Sequence, residues 1–364
     1  MRTPTLTDDR LRRLRLRAQH LAEPAPRTAL LDVVRDVVGI QAQMPQAAAL
    51  SLRARVAGLT HEDLREALEE GRTLVRTWVM RGTIHLVPTE DLPWMLPALP
   101  ASVLREVPRW LERRAGLVMG SRELAAAARQ VERALRRRGP LTRTEIVEAV
   151  GFGLEAGYGL MRLAALHGWI CYGPDRGSDQ TFVATRDWLP DLPRVGPPAP
   201  GELARRYLTG YGPAEPADLA TWWGMPLGAA RREMDSAETV EVRHRGRSLL
   251  ALPDRLELSN PRSAPSVRLV GAWDAYLLGH GDRRLILDPR RARTVNRGGG
   301  WLHPVVLIGG RVRGVWRTER KGRRVALTVR PFGPVPREAR DGIRSEAEDV
   351  GRFLGEPVDL AFSG

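Results

Sequence analysis

The chain has 364 residues, a formal net charge of +14 and a pI near 11.1. Its length and its hydrophobic content of 43% support cores for about two to four small domains. A single cysteine, Cys171, excludes a disulfide framework and a cysteine-type zinc site and fits a reducing compartment, the cytoplasm.

The charge points to a polyanion, nucleic acid first, against the alternative of a solvated basic surface with no partner. Nearly all of it is arginine, with Lys321 the one lysine. Arginine forks grip phosphate bidentately and stack on bases. A Schiff-base mechanism would have to rest on Lys321 or the N-terminus. The first 17 residues hold no apolar stretch of signal-peptide length, and no segment reads as a membrane span, so no membrane association is expected.

In chain order, residues 7–21 read as an amphipathic helix with Thr7 as N-cap, Asp8 and Asp9 in the first turn, and a stripe of Leu11, Leu14, Ala18 and Leu21. A second helix, about 28–39, is rich in valine and runs into Gln41-Ala42-Gln43, with Pro45 just beyond. An alanine-rich helix follows over 46–56. Thr60 and Asp63 form a capping box opening a helix that Gly71 closes. Residues 74–79 and 83–87 read as strands about a tight Arg81-Gly82 turn.

The plan then recurs. Residues 121–138 read as a long helix closed by Gly139-Pro140. Thr142 and Glu145 box the start of a short helix to Val150, a third covers 154–167, and strands fall at 169–172 and 181–184. Prolines 190, 193, 197, 198 and 200 mark a stiff linker. A third set places helices at 202–209, 216–223 and 227–235, with strands at 240–243 and 248–252 flanking Arg243-His244-Arg245-Gly246-Arg247. Helices followed by a strand–loop–strand is the winged-helix order. From 267 the texture turns to strands, at 267–270, 285–287, 305–308, 312–316 and 325–329, with a Gly309-Gly310 turn and a closing helix at 336–354. The fold class is α+β: three tandem winged-helix motifs, over 1–118, 119–195 and 196–265, around a C-terminal β-barrel or curled sheet over 266–364.

Three such motifs on a basic chain make double-stranded DNA the leading partner. No Walker loop, Cys/His metal set or dinucleotide-binding glycine loop is present, and Gly298-Gly299-Gly300 has no phosphate-binding frame around it, so no metal and no organic cofactor is implied. Asp274 could be a catalytic carboxylate, but a fold-stabilising role is the stronger reading. Thr83 and His85 alternate on one strand and share a face. The best candidates for phosphate or minor-groove contact are Arg243, Arg245 and Arg247, and the stretch Arg290, Arg291, Arg293 and Arg297. Gln41 and Gln43 by themselves could be ordinary polar residues at a helix end.

Three segments carry a resemblance: Gln41-x-Gln43 after a valine-rich helix, residues 76–86 (RTWVMRGTIHL), and residues 272–279 (AWDAYLLG). Together they are similar to the AlkZ-like family of bacterial DNA glycosylases over essentially the whole chain. That resemblance implies three winged-helix motifs wrapped on a β-barrel and the excision of bulky alkylated bases, including crosslinks left by genotoxic natural products. It implies catalysis by a Gln-x-Gln pair, here Gln41 and Gln43. It also suggests self-resistance to a DNA-alkylating antibiotic. Read from the strand itself, Thr83 and His85, with Arg81, are candidates for the lesion pocket or the DNA, against the alternative of a satisfied, half-buried histidine on a wing strand.

The chemistry agrees. Guanine alkylated at ring nitrogen 7 carries a fixed positive charge and leaves as a neutral base, so no general acid is needed. What helps is a water held against the anomeric carbon and stabilisation of an oxocarbenium-like sugar, and an amide oxygen can supply both. The expected activity is a monofunctional glycosylase, probing duplex DNA as a monomer at the nucleoid. The alternatives are a winged-helix transcriptional regulator without enzymatic activity and a protein that binds a lesion without excising it.

Overall fold

The computed structural model describes residues 3–193, 195–257, 266–298 and 300–363. They fall into two compact units. The first takes residues 1–64, 200–222 and 226–364, the second 65–199 and 223–225.

In the first unit the helix Asp8–Ala18 starts as its sequence dictates. The Thr7 hydroxyl accepts from the Arg10 N–H at 3.2 Å, and Asp8 and Asp9 lie at the positive end of the helix dipole. Leu11, Leu14 and Leu16 go into one core with Val270, Tyr276 and Leu307. The valine-rich helix is shorter than expected, Leu30–Asp36, and is followed by a two-residue strand, Ile40–Gln41, and the helix Pro45–Arg53. Proline is accepted at the first helical position because its missing N–H would have no partner there.

Farther along the same unit come helices Glu202–Tyr211, Pro216–Trp223 and Leu227–Ser236 and an antiparallel hairpin, Val240–His244 with Arg247–Ala251. Arg245 (φ 50°) and Gly246 (φ 77°) form its two-residue turn, in the left-handed conformation that matches the twist of a hairpin. The N-terminal segment lies alongside: the Leu6 N–H donates to the Arg243 carbonyl (2.7 Å) and the Arg243 N–H to the Pro4 carbonyl (2.8 Å).

The C-terminal strands form one five-stranded sheet in the order Val358–Phe362, Arg324–Pro331, Arg311–Lys321, Val305–Ile308, Val267–Val270. All neighbours are antiparallel except the first pair, whose parallel pairing is reached through the crossover helix Arg337–Leu354. The expected closed barrel is not formed among the described residues. At the Val267–Val270 edge the backbone groups that closure would use are taken by side chains: the Leu269 N–H donates to Glu346 (2.9 Å), and its carbonyl accepts from Arg53 (2.6 Å). Residues 285–287, expected as a strand, instead form a buried turn in which Ile286 and Leu287 donate back to the Arg283 carbonyl.

The second unit holds an antiparallel hairpin, Leu74–Val79 with Thr83–Pro88, the helices Ala101–Ala115, Ser121–Arg138, Arg143–Val150 and Leu154–Leu166, and a three-stranded sheet of Leu141–Thr142, Thr181–Ala184 and Ile170–Tyr172. The capping box at Thr142 is present in both directions, with the Thr142 N–H on Glu145 at 2.7 Å and the Glu145 N–H on the Thr142 hydroxyl at 3.3 Å. Trp78 stacks on Tyr172 and Phe182, and the Arg76 guanidinium lies 3.9 Å over the Tyr172 ring.

Candidate active site and nucleic-acid interface

The segment bearing the two glutamines follows a strained turn. After Asp36 the chain places Val38 (φ 55°) and Gly39 (φ 96°) consecutively in the left-handed region. Glycine enters it freely; a β-branched valine does so at a cost of about 1–3 kcal/mol. The surroundings hold it there. The Gly39 N–H donates to the Val34 carbonyl (2.9 Å), and the Tyr211 hydroxyl donates to the Val37 carbonyl (2.9 Å). Gly210 packs so closely that a Cβ there would stand 2.3 Å from the Asp36 carbonyl oxygen.

This turn throws the chain from helix into extended conformation, and side chains then alternate. Ile40 and Ala42 are buried, Gln41 is half-buried and Gln43 exposed. Burial alternates over 40–43, which puts both glutamines on the outward side, opposite Ile40 and Ala42, the strand itself ending at Gln41. No side-chain hydrogen bond joins either amide to another group among the described residues, which leaves each carbonyl oxygen and its two N–H donors available.

The same unit holds a buried polar network. Arg55, fully buried, makes a bidentate pair with Asp274 at 2.7 and 2.8 Å and donates to the Gln19 side-chain oxygen at 2.9 Å. The Gln19 amide donates to the Gly210 carbonyl (2.6 Å). Asp274 also caps the short helix Ala275–Leu278 through the Tyr276 N–H (2.9 Å). Every oxygen of this carboxylate is occupied and 1% of the residue is exposed, so it ties the fold together and does not face substrate.

The basic candidates differ in state. Around the hairpin turn, Arg245 and His244 both bind Asp8, each at 2.9 Å, and Arg245 holds the Asp8 carboxyl below its usual range. Arg247 pairs with Glu215 and reaches Asp282 at 3.3 Å, and Arg243 lies 3.4 Å from Glu241. Arg284, first, and then Arg247 keep Asp282 strongly acidic. A cavity of ≈ 240 Å³ beneath the turn is lined by Arg15, Glu215, Asp218, Arg247, Asp282 and Arg284, among others, so its charges are mixed. In the 290–297 stretch, by contrast, Arg290, Arg293 and Arg297 are exposed and make no ion pair among the described residues, while Arg291 donates to the Phe332 carbonyl (3.1 Å). The sequence reading missed the hairpin end formed by Arg311–Lys321 and Arg324–Pro331, where residues 317–324 are all exposed and mostly cationic. There Arg320 pairs with Glu356 and Arg324 with Asp359.

Arg81, Thr83 and His85 lie in the second unit. Arg81 (φ 50°) and Gly82 (φ 67°) make the turn of its hairpin. The Thr83 hydroxyl donates to the Met80 carbonyl (3.2 Å). His85 is 2% exposed and donates from Nδ1 to the Thr83 carbonyl (3.0 Å). Burial, with Arg81 nearby, pushes its pKa down to about 3, so the ring is neutral at working pH. Cys171 is buried, its thiol pushed up to about 12 by desolvation, which leaves it unreactive. Among the described residues no group of three or more His, Cys, Asp or Glu side chains is placed to hold a metal ion, and no helix is long and apolar enough to cross a membrane.

Unpartnered amides on a strained, extended segment in a strongly basic chain suit the hydrolysis of a bond that needs little acid–base help. The family model for AlkZ-like DNA glycosylases matches residues 34–353, and the chain belongs to that family: it is a DNA glycosylase. Among characterised relatives it is similar to the interstrand DNA cross-link repair glycosylase of Streptomyces sahachiroi, with 29% identity over 94% of this chain and 95% of that protein. The solved structure of the Streptomyces sahachiroi DNA glycosylase AlkZ matches with a TM-score of 0.80 and 27% identity, over 98% of this chain and 100% of that one, so the mixed α+β fold is shared.

Proposed function

We propose that the chain is a monofunctional glycosylase that hydrolyses the N-glycosidic bond of bulky alkylated purines, 7-alkylguanines foremost, and leaves an abasic site. The single observation that carries this is the pair of amides at Gln41 and Gln43, outward-facing and with no side-chain hydrogen bond among the described residues. One amide oxygen orients the attacking water and the other lies against the sugar as positive charge develops at its anomeric carbon. An amide is too weak a base to attack normal nucleosides, so selection falls on adducts that already carry a positive charge. Arginine cannot form a Schiff base, and Lys321 sits at an exposed hairpin end among arginines, which supports hydrolysis without strand scission.

In this reading the segments 1–118, 119–195 and 196–265 are winged-helix motifs bound to duplex DNA, followed by the sheet region 266–364. The helix order before the hairpins at 170–184 and 240–251 supports it. Arg290, Arg293 and Arg297 contact phosphates, and Arg81, Thr83 and the neutral His85 lie along the DNA or the lesion. The protein acts as a monomer at the nucleoid. The name of the Streptomyces relative supports crosslinked DNA as a substrate, and from the family resemblance we infer a role in self-resistance to a DNA-alkylating natural product.

The test is an excision assay on a duplex carrying one 7-alkylguanine, followed by alkali. Protein-dependent release of the free base and an alkali-labile site at the lesion are expected, with none at guanine or uracil. Tight binding without base release across several adducts would instead mark a DNA-binding regulator or a lesion shield.

A further inference from the structure

Of the ten tryptophans, Trp301 alone is exposed, at 40%. Exposed tryptophan is costly to leave against water, and this one is held rigidly. Its ring stands edge-on to Trp273, with centroids 4.4 Å apart and planes at 67°. The Trp301 N–H donates to the Gly298 carbonyl (3.0 Å), and its own carbonyl accepts from the Arg297 N–H (3.2 Å). Trp273 in turn donates its indole N–H to the Gly300 carbonyl at 2.8 Å.

The supporting tryptophan is itself constrained. Trp273 has φ 53°, rare for a bulky side chain, and precedes Asp274, whose carboxylate is fixed by Arg55. Two residues earlier, Gly271 touches the helix Pro45–Arg53: a Cβ there would lie 2.3 Å from the Ala47 carbonyl oxygen. A continuous packed path therefore runs from the exposed indole through Trp273 and Gly271 to the helix that begins two residues after Gln43. Arg293 and Arg297, both exposed and in no ion pair among the described residues, precede Trp301 by eight and four residues.

A fixed, exposed indole on a segment that also carries exposed arginines, Arg297 being tied to Trp301 through the backbone, is suited to a nucleobase: the cations attract phosphate and the ring stacks on a base face. In an intact duplex the base faces are covered by their neighbours. A bulky adduct unstacks them and exposes one. We infer that Trp301 is a positioning residue for excision, stacking on a nucleobase that the lesion has unstacked and so fixing the damaged nucleotide relative to Gln41 and Gln43. This rests on the proposed use of those glutamines at the lesion.

The experiment measures binding and not turnover, so it stands apart from whether the glutamines catalyse. In the Gln41→Ala, Gln43→Ala background, fluorescence anisotropy compares an adducted duplex with the same duplex undamaged. Trp301→Ala weakens binding to the adducted duplex by about 5- to 160-fold, the range for loss of one aromatic–base stack. It changes binding to the undamaged duplex by less than about twofold, and Trp301→Phe restores most of the loss while Trp301→Leu does not. Unchanged affinity of Trp301→Ala for the adducted duplex would overturn the inference. So would an equal loss on both duplexes, or full rescue by leucine. Lack of base release by the unmutated enzyme would count against the glutamine reading alone.

Discussion

The hairpin turn with Arg243, Arg245 and Arg247 and the stretch with Arg290, Arg291, Arg293 and Arg297 look alike as sequence, yet they differ in what their charges face. Around the turn, Asp8, Glu215, Asp282 and Glu241 answer the guanidinium groups one by one. In the second stretch Arg290, Arg293 and Arg297 are exposed and have no ion-pair partner among the described residues. A phosphate arriving at the turn must displace a carboxylate; at 290–297 it displaces only solvent and small ions. A charge count therefore overstates the binding surface of a basic protein, and the quantity that matters is charge without an internal partner.

Arg55 is the extreme case of a charge engaged internally. Asp274→Ala would leave its guanidinium buried and unpaired, and the expected loss of unfolding free energy is about 3–5 kcal/mol, measured by chemical denaturation. A loss below about 1 kcal/mol would mean that the network contributes little. Next in size is the simultaneous Arg290→Ala, Arg293→Ala, Arg297→Ala variant. If three phosphate contacts go, affinity for duplex DNA falls roughly 100-fold at moderate salt, and the slope of log affinity against log salt drops by about 3. Arg245→Ala with Arg247→Ala is expected to move the slope by less than about 1. Equal effects from the two sets would erase the comparison.

His85 gives a smaller effect with a definite sign. Its folded pKa is about 3, against about 6.5 in an unfolded chain. Between those values the unfolded state binds a proton that the folded state does not, so stability is complete above pH 6.5 and falls as the pH drops toward 3. At pH 5 this one group removes about 2 kcal/mol. Stability measured between pH 7 and pH 5 should decline less steeply in His85→Asn than in the unmutated protein.

Much of the fold was legible from local rules. The capping boxes at Thr60 and Thr142 and the Gly309-Gly310 turn are written in a few consecutive residues, and each forms. What failed depends on distant partners. The sheet stays open because Glu346 and Arg53, far away in sequence, occupy its edge. Residues 285–287 are apolar because they are buried, and burial alone does not distinguish a strand from a turn. The helix Ala101–Ala115 was not read, and Pro108 within it interrupts the usual signal. The glutamine pair was visible through the family resemblance, but its geometry was not. The sequence suggested a helix end, whereas a left-handed Val38-Gly39 turn delivers an extended chain, held by Tyr211 and Gly210 from a helix some 170 residues later. The ion pairs that neutralise the 243–247 turn were hidden for the same reason.

The central claim is that two side-chain amides suffice to break a glycosidic bond that alkylation has already weakened. Single-turnover excision of 7-alkylguanine from a duplex, with enzyme in excess, tests it most directly in Gln41→Ala, Gln43→Ala beside the unmutated protein. The account predicts a rate reduced by at least about 100-fold with lesion binding retained, as when preorganised polar groups are removed from a transition state. Excision at the unmutated rate would contradict it.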